Sequence, residues 1–331
     1  MRALLIVNPN ATAITPAGRD LVAMALHANM DLVEAQTERR GHAGDLARQA
    51  RTDGFDLVIV HGGDGTVNEV INGILGEEGA HPGEPVTDPE HLPAVAVIPG
   101  GSANVFARSL AVPRDPLQAT VHLSDLLERN TFRTIGLGRA GSRWFLFNAG
   151  VGLDAAVIAN METLRAKGKA ATFPRYVRTA IRTFFATARR APQLTVHLPA
   201  AGASGERAVD GVHFAFVSNA SPWTFLGDLP VLTNPETDYG SGLGVFASRS
   251  MRTIPNLRLV QQMLSRRRSN GPRMKHLLRV DDLPVIRITA ATPAPAQVDG
   301  DHIGDTEDLT FWYSPQRIRV VADLPPLPRV R

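Results

Sequence analysis

The stretch HGGDGTVNEV, residues 61–70, follows the apolar run FDLVIV, residues 55–60, and leads into a helical pattern. Phosphate groups bind at such strand-to-helix turns, because glycine lets the backbone approach a ligand and the helix N-terminus offers unpaired N–H groups. Asp64 would repel a phosphate unless a divalent cation lay between them. The stretch therefore predicts a site for a nucleotide with Mg²⁺. The alternative is a glycine turn in which Asp64 caps the helix.

Two further segments have the same organisation. AVAVIPGGSANVFARSL, residues 94–110, reads as a strand, a Gly-Gly turn and a helix, with Ser102 and Asn104 placed to bond phosphate or ribose. ALLIVNPNAT, residues 3–12, also places polar residues directly after an apolar strand. Ligands of open parallel sheets bind outside the carboxyl ends of the strands, so the three segments predict one nucleotide site.

The chain changes character near residue 131. Before it, strand and helix patterns alternate, which predicts a doubly wound, mostly parallel α/β domain over residues 1–131. After it, short strands and turns predict an antiparallel β-sandwich domain over residues 132–313, interrupted by two basic helical stretches. Residues 76–93 are rich in Pro, Gly and Glu and predict a flexible surface insertion.

One motif is rejected as a cofactor site. GLGRAG, residues 136–141, matches the dinucleotide pattern G-x-G-x-x-G but lies between two strands with no helix after it. It is therefore predicted to be a hairpin turn. A Walker A motif is absent from the sequence, which distinguishes the chain from P-loop kinases.

Composition limits the class of protein. The 331 residues include no cysteine, which excludes a disulfide scaffold, a thiol nucleophile and cysteine-bound metals. The apolar run before Asn8 is too short for a signal peptide, and no run reaches the length of about 18 residues of a membrane span. We therefore expect a cytoplasmic protein that meets lipid from outside the bilayer.

The small net charge of +3 hides two strongly basic stretches. Residues 163–191 contain eight Lys or Arg and residues 249–279 contain nine, with no Asp or Glu in either. In the first stretch Arg175, Arg178 and Arg182 share one face of an amphipathic helix, which suits an anionic membrane surface. A core-packed helix with a solvated basic face is the alternative. Nucleic acid is disfavoured because no recognition motif or aromatic platform accompanies the charge.

Several segments together resemble the diacylglycerol kinase catalytic-domain family of lipid kinases, which includes sphingosine and ceramide kinases. The matching pieces are VNPNAT, GGDGTVNEVINGI, IPGGSANVFARSL, FNAGVGLDAAVI and AQVDGD. GGDGT is shared with NAD kinases and phosphofructokinases, whereas the third and last pieces are typical of the lipid-kinase branch. The resemblance implies an ATP- and Mg²⁺-dependent kinase of phospholipid metabolism, acting on a diacylglycerol-like hydroxyl at the inner membrane face. It also implies that the tail, residues 314–331, returns to the first domain.

The resemblance also assigns the site residues. Those expected at the nucleotide are Asn8, Pro9, Asn10, Thr12, Thr37, Gly62, Gly63, Asp64, Gly65, Thr66, Asn68, Glu69, Gly101, Ser102 and Asn104. Asp301, which closes the VDGD motif, is the expected catalytic base, and Asp64 is the second expected catalytic residue. Asp299 and Asp301 are predicted to point the same way from an extended strand, with an acidic strand-end turn as the alternative.

The chain departs from the family at two places. In DYGSGLGVF, residues 238–246, Tyr239 and Gly240 stand where the family has two aspartates, and Asp238 is the nearest carboxylate for a metal. Val105 replaces the Asp of the family's Asn-Asp-Phe-Ala segment. Two alternatives to a lipid kinase stay open: a kinase with a soluble acceptor such as NAD, and a noncatalytic nucleotide- or lipid-binding protein. A homodimer also stays open.

Overall fold

The computed structural model describes most of the chain. The described residues are 1–28, 30–79, 84, 86–166, 173–188, 191, 193–199, 205–265 and 271–323. The side chains of residues 165, 166, 173–177, 181 and 188 lie outside this description. The chain folds into two compact units. Unit 1 comprises Met1–Leu137, Ser142–Leu146 and Ser314–Arg331, and unit 2 comprises Gly138–Gly141 and Phe147–Tyr313.

Unit 1 alternates strands with helices, which confirms the α/β prediction. Its strands are β1 (Arg2–Val7), β2 (Asp31–Gln36), β3 (Leu57–Gly62), β4 (Ala94–Pro99), most of β5 (Phe132–Ala140), and β6 (Arg143–Phe145). Its helices are α1 (Pro16–His27), α2 (His42–Thr52), α3 (Asp64–Leu75), α4 (Val105–Ser109) and α5 (Pro116–Glu128).

The sheet of unit 1 is built on parallel strands in the order β4-β3-β1-β2. In the register, Leu4 lies opposite Val58, which in turn lies opposite Val95. The residues of β3 and β4 are all buried, which explains why these strands read as continuous apolar runs. The carboxyl ends of β1, β3 and β4 therefore lie side by side at one edge.

Local capping explains where two helices of unit 1 begin. The Thr15 hydroxyl accepts the Gly18 N–H at 3.1 Å, with Pro16 in the first helical turn of α1. The Asp115 carboxylate likewise accepts the Gln118 N–H at 2.9 Å, just ahead of Pro116 in α5. A capping oxygen followed by proline satisfies an end N–H and presets the helical φ.

Unit 2 contains most of the remaining elements. Its strands are β7 (Asn148–Val151), β8 (Leu194–Pro199), β9 (Glu206–Val212), β10 (Phe214–Ser218), β11 (Thr224–Leu226), β12 (Leu229–Val231), β13 (Leu243–Ser248), β14 (Leu277–Leu283) and β15 (Val285–Val298). Strand β16 (Asp301–Val321) lies in unit 2 up to Tyr313. The helices are α6 (Leu153–Ala166), α7 (Phe173–Ala188) and α8 (Thr253–Met263).

The strands of unit 2 pair antiparallel in the order β14-β13-β10-β7-β15-β16, and β8 joins β15 to β9. This confirms the prediction of an antiparallel, strand-rich second region. One apolar cluster combines Phe216 and Phe246 of the sheet with Leu259 and Met263 of α8, and Phe184 of α7 packs against it. Both basic helical stretches thus contribute helices that pack on one core.

The hairpin predicted at residues 136–141 is shifted. Most of GLGRAG lies inside β5, which ends at Ala140, and the turn to β6 falls at Gly141 and Ser142. Gly141 has a φ of +55° there, which glycine adopts without strain. The glycines at 136 and 138 are therefore strand residues, and no helix follows them. None of the helices in the described residues is long and apolar enough to cross a membrane.

Candidate nucleotide site and candidate base

Backbone hydrogen bonds join three loops at the carboxyl edge of unit 1. The Asn8 N–H donates to the His61 carbonyl at 3.0 Å, and the Gly100 N–H donates to the Gly62 carbonyl at 2.8 Å. The Ala13 N–H donates to the Gly100 carbonyl at 2.9 Å, so the loop after β1 also reaches the loop after β4. The structure thus brings together the three segments that the sequence placed at one site.

The glycines of the two turns serve different purposes. A Cβ on Gly101 would lie 2.8 Å from the Gly63 Cα, and a Cβ on Gly63 would lie 3.2 Å from the Gly101 Cα. These two glycines let one backbone pass against the other. A Cβ on Gly62 would meet the Thr66 side chain at 2.9 Å. Gly65 faces open space, because beyond its own helix backbone and chain neighbours no atom of the described residues lies within 4 Å of its Cβ position. The backbone at the start of α3 is therefore open to a ligand at Gly65.

The Asp64 carboxylate is directed at the neighbouring loop. Its Oδ1 accepts the Phe106 N–H at 3.0 Å, at the start of α4. Burial raises the pKa of Asp64, while backbone N–H groups of Phe106, Val105 and Asn104 lower it. Asp64 therefore caps α4, the helix that follows the second glycine turn, and is itself the first residue of α3.

The side chain at Val105, where the family has a carboxylate, is buried and apolar. Magnesium bound with a nucleotide commonly uses one or two protein carboxylates plus phosphate oxygens. Asp64 is the carboxylate that this loop pair offers.

Asparagine and threonine side chains organise the loop after β1. The Asn8 Nδ2 donates to the Thr66 hydroxyl at 3.0 Å, and the Asn8 Oδ1 accepts the Asn10 N–H at 3.0 Å. Thr66 is buried. The remaining predicted residues of the edge are exposed and available to a ligand; they are Pro9, Asn10, Thr12 and Ser102.

Four further residues predicted at the nucleotide also bond to the protein itself. Asn104 braces its own turn, accepting the Gly101 N–H at 2.8 Å and donating to the Gly101 carbonyl at 2.7 Å. Asn68 is buried and donates to the Trp144 carbonyl at 3.0 Å. Glu69 accepts the Gly41 N–H at 2.8 Å at the start of α2. Thr37 is buried after β2, its N–H bonded to the Val7 carbonyl at 2.9 Å.

His61 is a buried polar residue that the sequence reasoning did not single out. It is 1% exposed near the carboxyl end of the inner strand β3, just before the first glycine turn, and its ring nitrogens have no hydrogen-bond partner within the described part of the chain. Burial lowers the pKa of His61 to about 4, so the imidazole is neutral at physiological pH. His61 therefore adds no positive charge next to the first glycine turn.

The VDGD motif of unit 2 forms a tight turn. Val298 and Asp301 pair across the β15–β16 hairpin, and the two residues between them, Asp299 and Gly300, have φ of +47° and +84°. The prediction that Asp299 and Asp301 extend from one strand is therefore wrong, because an Asp-Gly pair with positive φ reverses the chain there. Asp301 follows the turn and is partly exposed, whereas Asp299 is buried.

Asp299 and Gln297 hold this turn in place. The Asp299 Oδ1 accepts the N–H groups of Phe147 and Asn148, each at 3.1 Å. The Gln297 Oε1 accepts the Gly300 N–H at 2.8 Å. These three hydrogen bonds thus fix the turn that precedes Asp301.

A buried carboxyl supports Gln297. The Gln297 Nε2 donates to the Asp154 Oδ2 at 2.7 Å and to the Asn148 Oδ1 at 3.0 Å. Burial raises the pKa of Asp154 to about 7, partly offset by the hydrogen bond from Gln297. Sequence reasoning assigned no role to Asp154, although it lies within the matching segment FNAGVGLDAAVI. The role of Asp154 depends on its hydrogen bond with Gln297, which lies 143 residues away in the sequence and gives no local signal.

Asp238 closes a local turn. Its Oδ1 accepts the N–H groups of Gly240 and Ser241, both at 2.8 Å. The Tyr313 hydroxyl donates to the Tyr239 carbonyl at 2.9 Å, and burial raises the pKa of Tyr313, with the charges of Asp238 and Asp282 adding to the shift. Among the residues that the structure describes, no three His, Cys, Asp or Glu group together to hold a metal ion.

The predicted membrane arginines are partly described. Arg178 and Arg182 are exposed on α7, and the Arg175 side chain lies outside the described residues. Phe185, three residues after Arg182, is 46% exposed. Arg189 and Arg266–Arg268 also lie outside the described residues.

Comparison with known proteins agrees with the motifs. Residues 2–139 match the family model described as the diacylglycerol kinase catalytic domain. The resemblance predicted from the sequence is thereby confirmed over a region that holds the glycine turns and the strands feeding them.

Curated relatives match over shorter spans. The chain is 35% identical to a diacylglycerol kinase of Bacillus subtilis (strain 168) over 112 residues, which is 34% of this chain and 32% of that protein. It is 34% identical to a diacylglycerol kinase of Staphylococcus carnosus (strain TM300) over 110 residues, 33% of this chain and 31% of that protein. The alignments thus cover about a third of the length of these relatives.

Solved structures extend the likeness in fold to nearly the whole chain. A crystal structure of a diacylglycerol kinase from Bacillus anthracis str. Sterne superimposes with a TM-score of 0.65 at 20% identity, covering 97% of each chain. Another structure from the same organism gives a TM-score of 0.70 at 22% identity, again over 97% of each chain. The two-part architecture is thus the fold of these proteins.

Proposed function

We propose that this protein is an ATP-dependent lipid kinase that phosphorylates the hydroxyl of a diacylglycerol-like lipid at a membrane surface. The observation that carries the proposal is the pair of interlocked glycine turns at the carboxyl edge of unit 1. They lie within the region matched by the diacylglycerol kinase catalytic domain.

The residues of unit 1 fit a nucleotide. Gly65 leaves open space at the start of α3, where N–H groups and the helix dipole favour a phosphate. Exposed Asn10, Thr12 and Ser102 supply hydrogen bonds for phosphate or ribose at the same edge. When bound, ATP with Mg²⁺ supplies the phosphoryl group and neutralises its developing charge. Asp64 is the residue that we assign to the metal.

Asp301 of unit 2 is assigned as the base that accepts the proton of the lipid hydroxyl. A general base must hold its carboxylate at a fixed place, since proton transfer requires hydrogen-bonding distance. Asp299 and Gln297 supply that rigidity by fixing the turn before Asp301. The role of Asp154 is to hold Gln297.

We also propose that the protein works at the inner face of the membrane, from the cytoplasm. Exposed Arg178 and Arg182 on α7 support contact with anionic lipid. The acid-free composition of residues 163–191 leaves this attraction unopposed along the stretch.

A noncatalytic nucleotide- or lipid-binding protein is a second candidate. The observation that favours it is the engagement of the Asp64 carboxylate by the backbone N–H of Phe106, together with the apolar Val105 next to it. Such a protein would bind ATP without transferring phosphate. Turnover therefore decides between the two candidates.

The test is an acceptor panel with γ-labelled ATP and Mg²⁺. Diacylglycerol, sphingosine, ceramide and NAD are each incubated with the purified protein, and the products are separated by class. We expect label in diacylglycerol or a closely related lipid. Label in NAD alone would make the protein a soluble-acceptor kinase, and ATP binding without any labelled product would favour the noncatalytic protein.

A further inference from the structure

We propose that the exposed apolar face of α8, formed by Ile254, Leu257 and Val260, inserts into the surface of an anionic phospholipid bilayer. The choice of lipid as the occupant rests on the proposed function as a lipid kinase. The face lies on a different helix from the arginines that the sequence predicted to bind membrane.

Helix α8 has two apolar faces. Leu259 and Met263 are buried in the core cluster of unit 2, and Asn256 on the same side is buried as well. On the opposite side Ile254 is 67% exposed, Leu257 65% and Val260 51%. Their spacing of three residues places them along one side of the helix. A helix whose core-facing side is already satisfied has no folding reason to expose three large apolar side chains in a row.

The surroundings of this face are basic. Arg258 is exposed one residue after Leu257, and Arg252 is exposed at the start of the helix. The Arg273 N–H donates to the Gln262 Oε1 at 3.0 Å, which brings another exposed arginine to the end of α8. Residues 249–279 contain no Asp or Glu to offset these charges.

This combination selects a bilayer among the available occupants. Anionic headgroups attract the arginines while the hydrocarbon below them takes up apolar side chains, as for interfacial amphipathic helices. Nucleic acid would satisfy the charges but offers little apolar surface to Ile254 and Val260. A second copy of the chain, related by a two-fold axis, would bring two basic surfaces together and repel itself.

The described chain offers a matched control surface. Leu21 and Met24 on α1 and Val121 on α5 are also large, apolar and exposed, at 45%, 65% and 70%. Helices α1 and α5 pack against each other, but acidic residues accompany them, including Asp20 and Asp125. Attraction to anionic headgroups is therefore weaker there.

The experiment is a vesicle-binding titration of the full chain. Vesicles contain phosphatidylcholine with about a third of phosphatidylglycerol, and phosphatidylcholine vesicles serve as the neutral reference. We expect the triple variant Ile254→Gln, Leu257→Gln, Val260→Gln to bind the anionic vesicles roughly tenfold or more weakly. The matched triple variant Leu21→Gln, Met24→Gln, Val121→Gln should bind as wild type does. All six side chains are exposed, so both variants should keep the wild-type Tm.

A reporter separates insertion from surface attraction. In a Leu257→Trp variant the new indole should shift its emission to the blue on addition of anionic vesicles, relative to the unchanged wild-type tryptophans. Wild-type vesicle binding by the α8 triple variant, or an unshifted Leu257→Trp emission, would overturn the proposal. Conversion of a dimer to a monomer by the α8 variant, with vesicle binding intact, would assign the face to a second copy instead.

A separate assay distinguishes this proposal from the kinase proposal. Turnover of a dispersed short-chain diacylglycerol by wild-type protein requires no bilayer. Absence of that turnover, with vesicle binding still dependent on α8, would contradict the kinase and leave the docking face. Turnover with vesicle binding independent of α8 would contradict only the docking face.

Discussion

Asp64 has a structural role in the protein and is also the residue that we propose for the metal. Its carboxylate bonds to the Phe106 N–H and so joins the first glycine turn to the helix that follows the second. A nucleotide's Mg²⁺ would use the same carboxylate, because the residue at position 105, where the family has a second carboxylate, is the apolar Val105. Protein N–H groups therefore already offset part of the negative charge of Asp64, and a bound cation would offset the rest.

Replacement of Asp64 by Asn tests the metal role. Asn keeps the size of the side chain and can still accept the Phe106 N–H, but it removes the charge that holds a cation. We expect ATP-dependent turnover to fall roughly 10²-fold or more while the protein stays folded. Asp20→Asn, an exposed carboxylate on α1, is the control. Near-normal turnover of a folded Asp64→Asn protein would remove Asp64 from the chemistry.

Asp154 should make stability depend on pH. Its pKa is about 7 in the folded protein against an ordinary 3.8, so the native state keeps a proton that the unfolded chain has lost at neutral pH. This contribution to stability is fully present below about pH 4 and is lost as pH rises through about 7.

Asp154→Asn imitates the protonated carboxyl at every pH. The Tm of this variant relative to wild type should therefore rise between about pH 4 and pH 7. Thermal unfolding in a series of buffers measures the difference. A gap that stays constant across that range would mean that Asp154 is already ionised in the folded protein at low pH.

The two glycine turns act as one element because their backbones touch. Gly63 and Gly101 face each other, and the Asn104 side chain closes the second turn around Gly101. Gly65 belongs to the same motif but faces open space. Glycines that look equivalent in the sequence therefore differ in the structure. Gly63 and Gly101 allow close backbone packing, whereas Gly65 leaves space open for a ligand.

Alanine substitutions separate these purposes. Gly101→Ala puts a Cβ 2.8 Å from the Gly63 Cα, so we expect a loss of about 1–3 kcal/mol in the free energy of unfolding. Gly65→Ala should leave folding stability near wild type but weaken ATP binding, since its Cβ enters the space left for the ligand. Denaturant unfolding and ATP titration of both variants measure the split. Equal destabilisation by the two substitutions would contradict it.

Much of the architecture could be predicted because buried parallel strands read as unbroken apolar runs. FDLVIV and AVAVI each lead into a glycine turn, and parallel order brings those turns to one edge. The antiparallel second region was likewise predicted from a local pattern, namely its short strands and frequent turns.

The partners of polar side chains could not be predicted this way. Asn68, Glu69 and Asn104 have the chemistry of ligand-binding residues. Tertiary packing gives Asn68 and Glu69 protein partners, however, and Asn104 bonds within its own turn. The Asp154–Gln297 contact joins residues 143 positions apart, which no local pattern encodes. At Asp299 the alternative of an acidic strand-end turn is the correct one, because the Asp-Gly pair reverses the chain between β15 and β16.

At the scale of the whole molecule, we propose that unit 1 holds the nucleotide and that unit 2 supplies the base and the lipid contact. The loop with Asp238 offers a competing place for the chemistry, and it retains a carboxylate bonded to the Gly240 and Ser241 N–H groups. The assignment of Asp301 therefore needs a comparison of carboxylates within unit 2. Asp305, exposed on the same strand as Asp301, provides a matched control.

The rate of label transfer from γ-labelled ATP to a short-chain diacylglycerol tests the central claim most directly, with ATP affinity measured on the same samples. Wild type and Asp305→Asn should form phosphorylated lipid. Asp301→Asn should lower kcat by roughly 10² to 10⁴ with near-normal ATP affinity, and Asp238→Asn should matter less. If Asp301→Asn kept the wild-type kcat and Asp238→Asn had no activity, the base would belong to the Asp238 loop. If wild-type protein formed no phosphorylated lipid, the proposal that the protein is a lipid kinase would be contradicted.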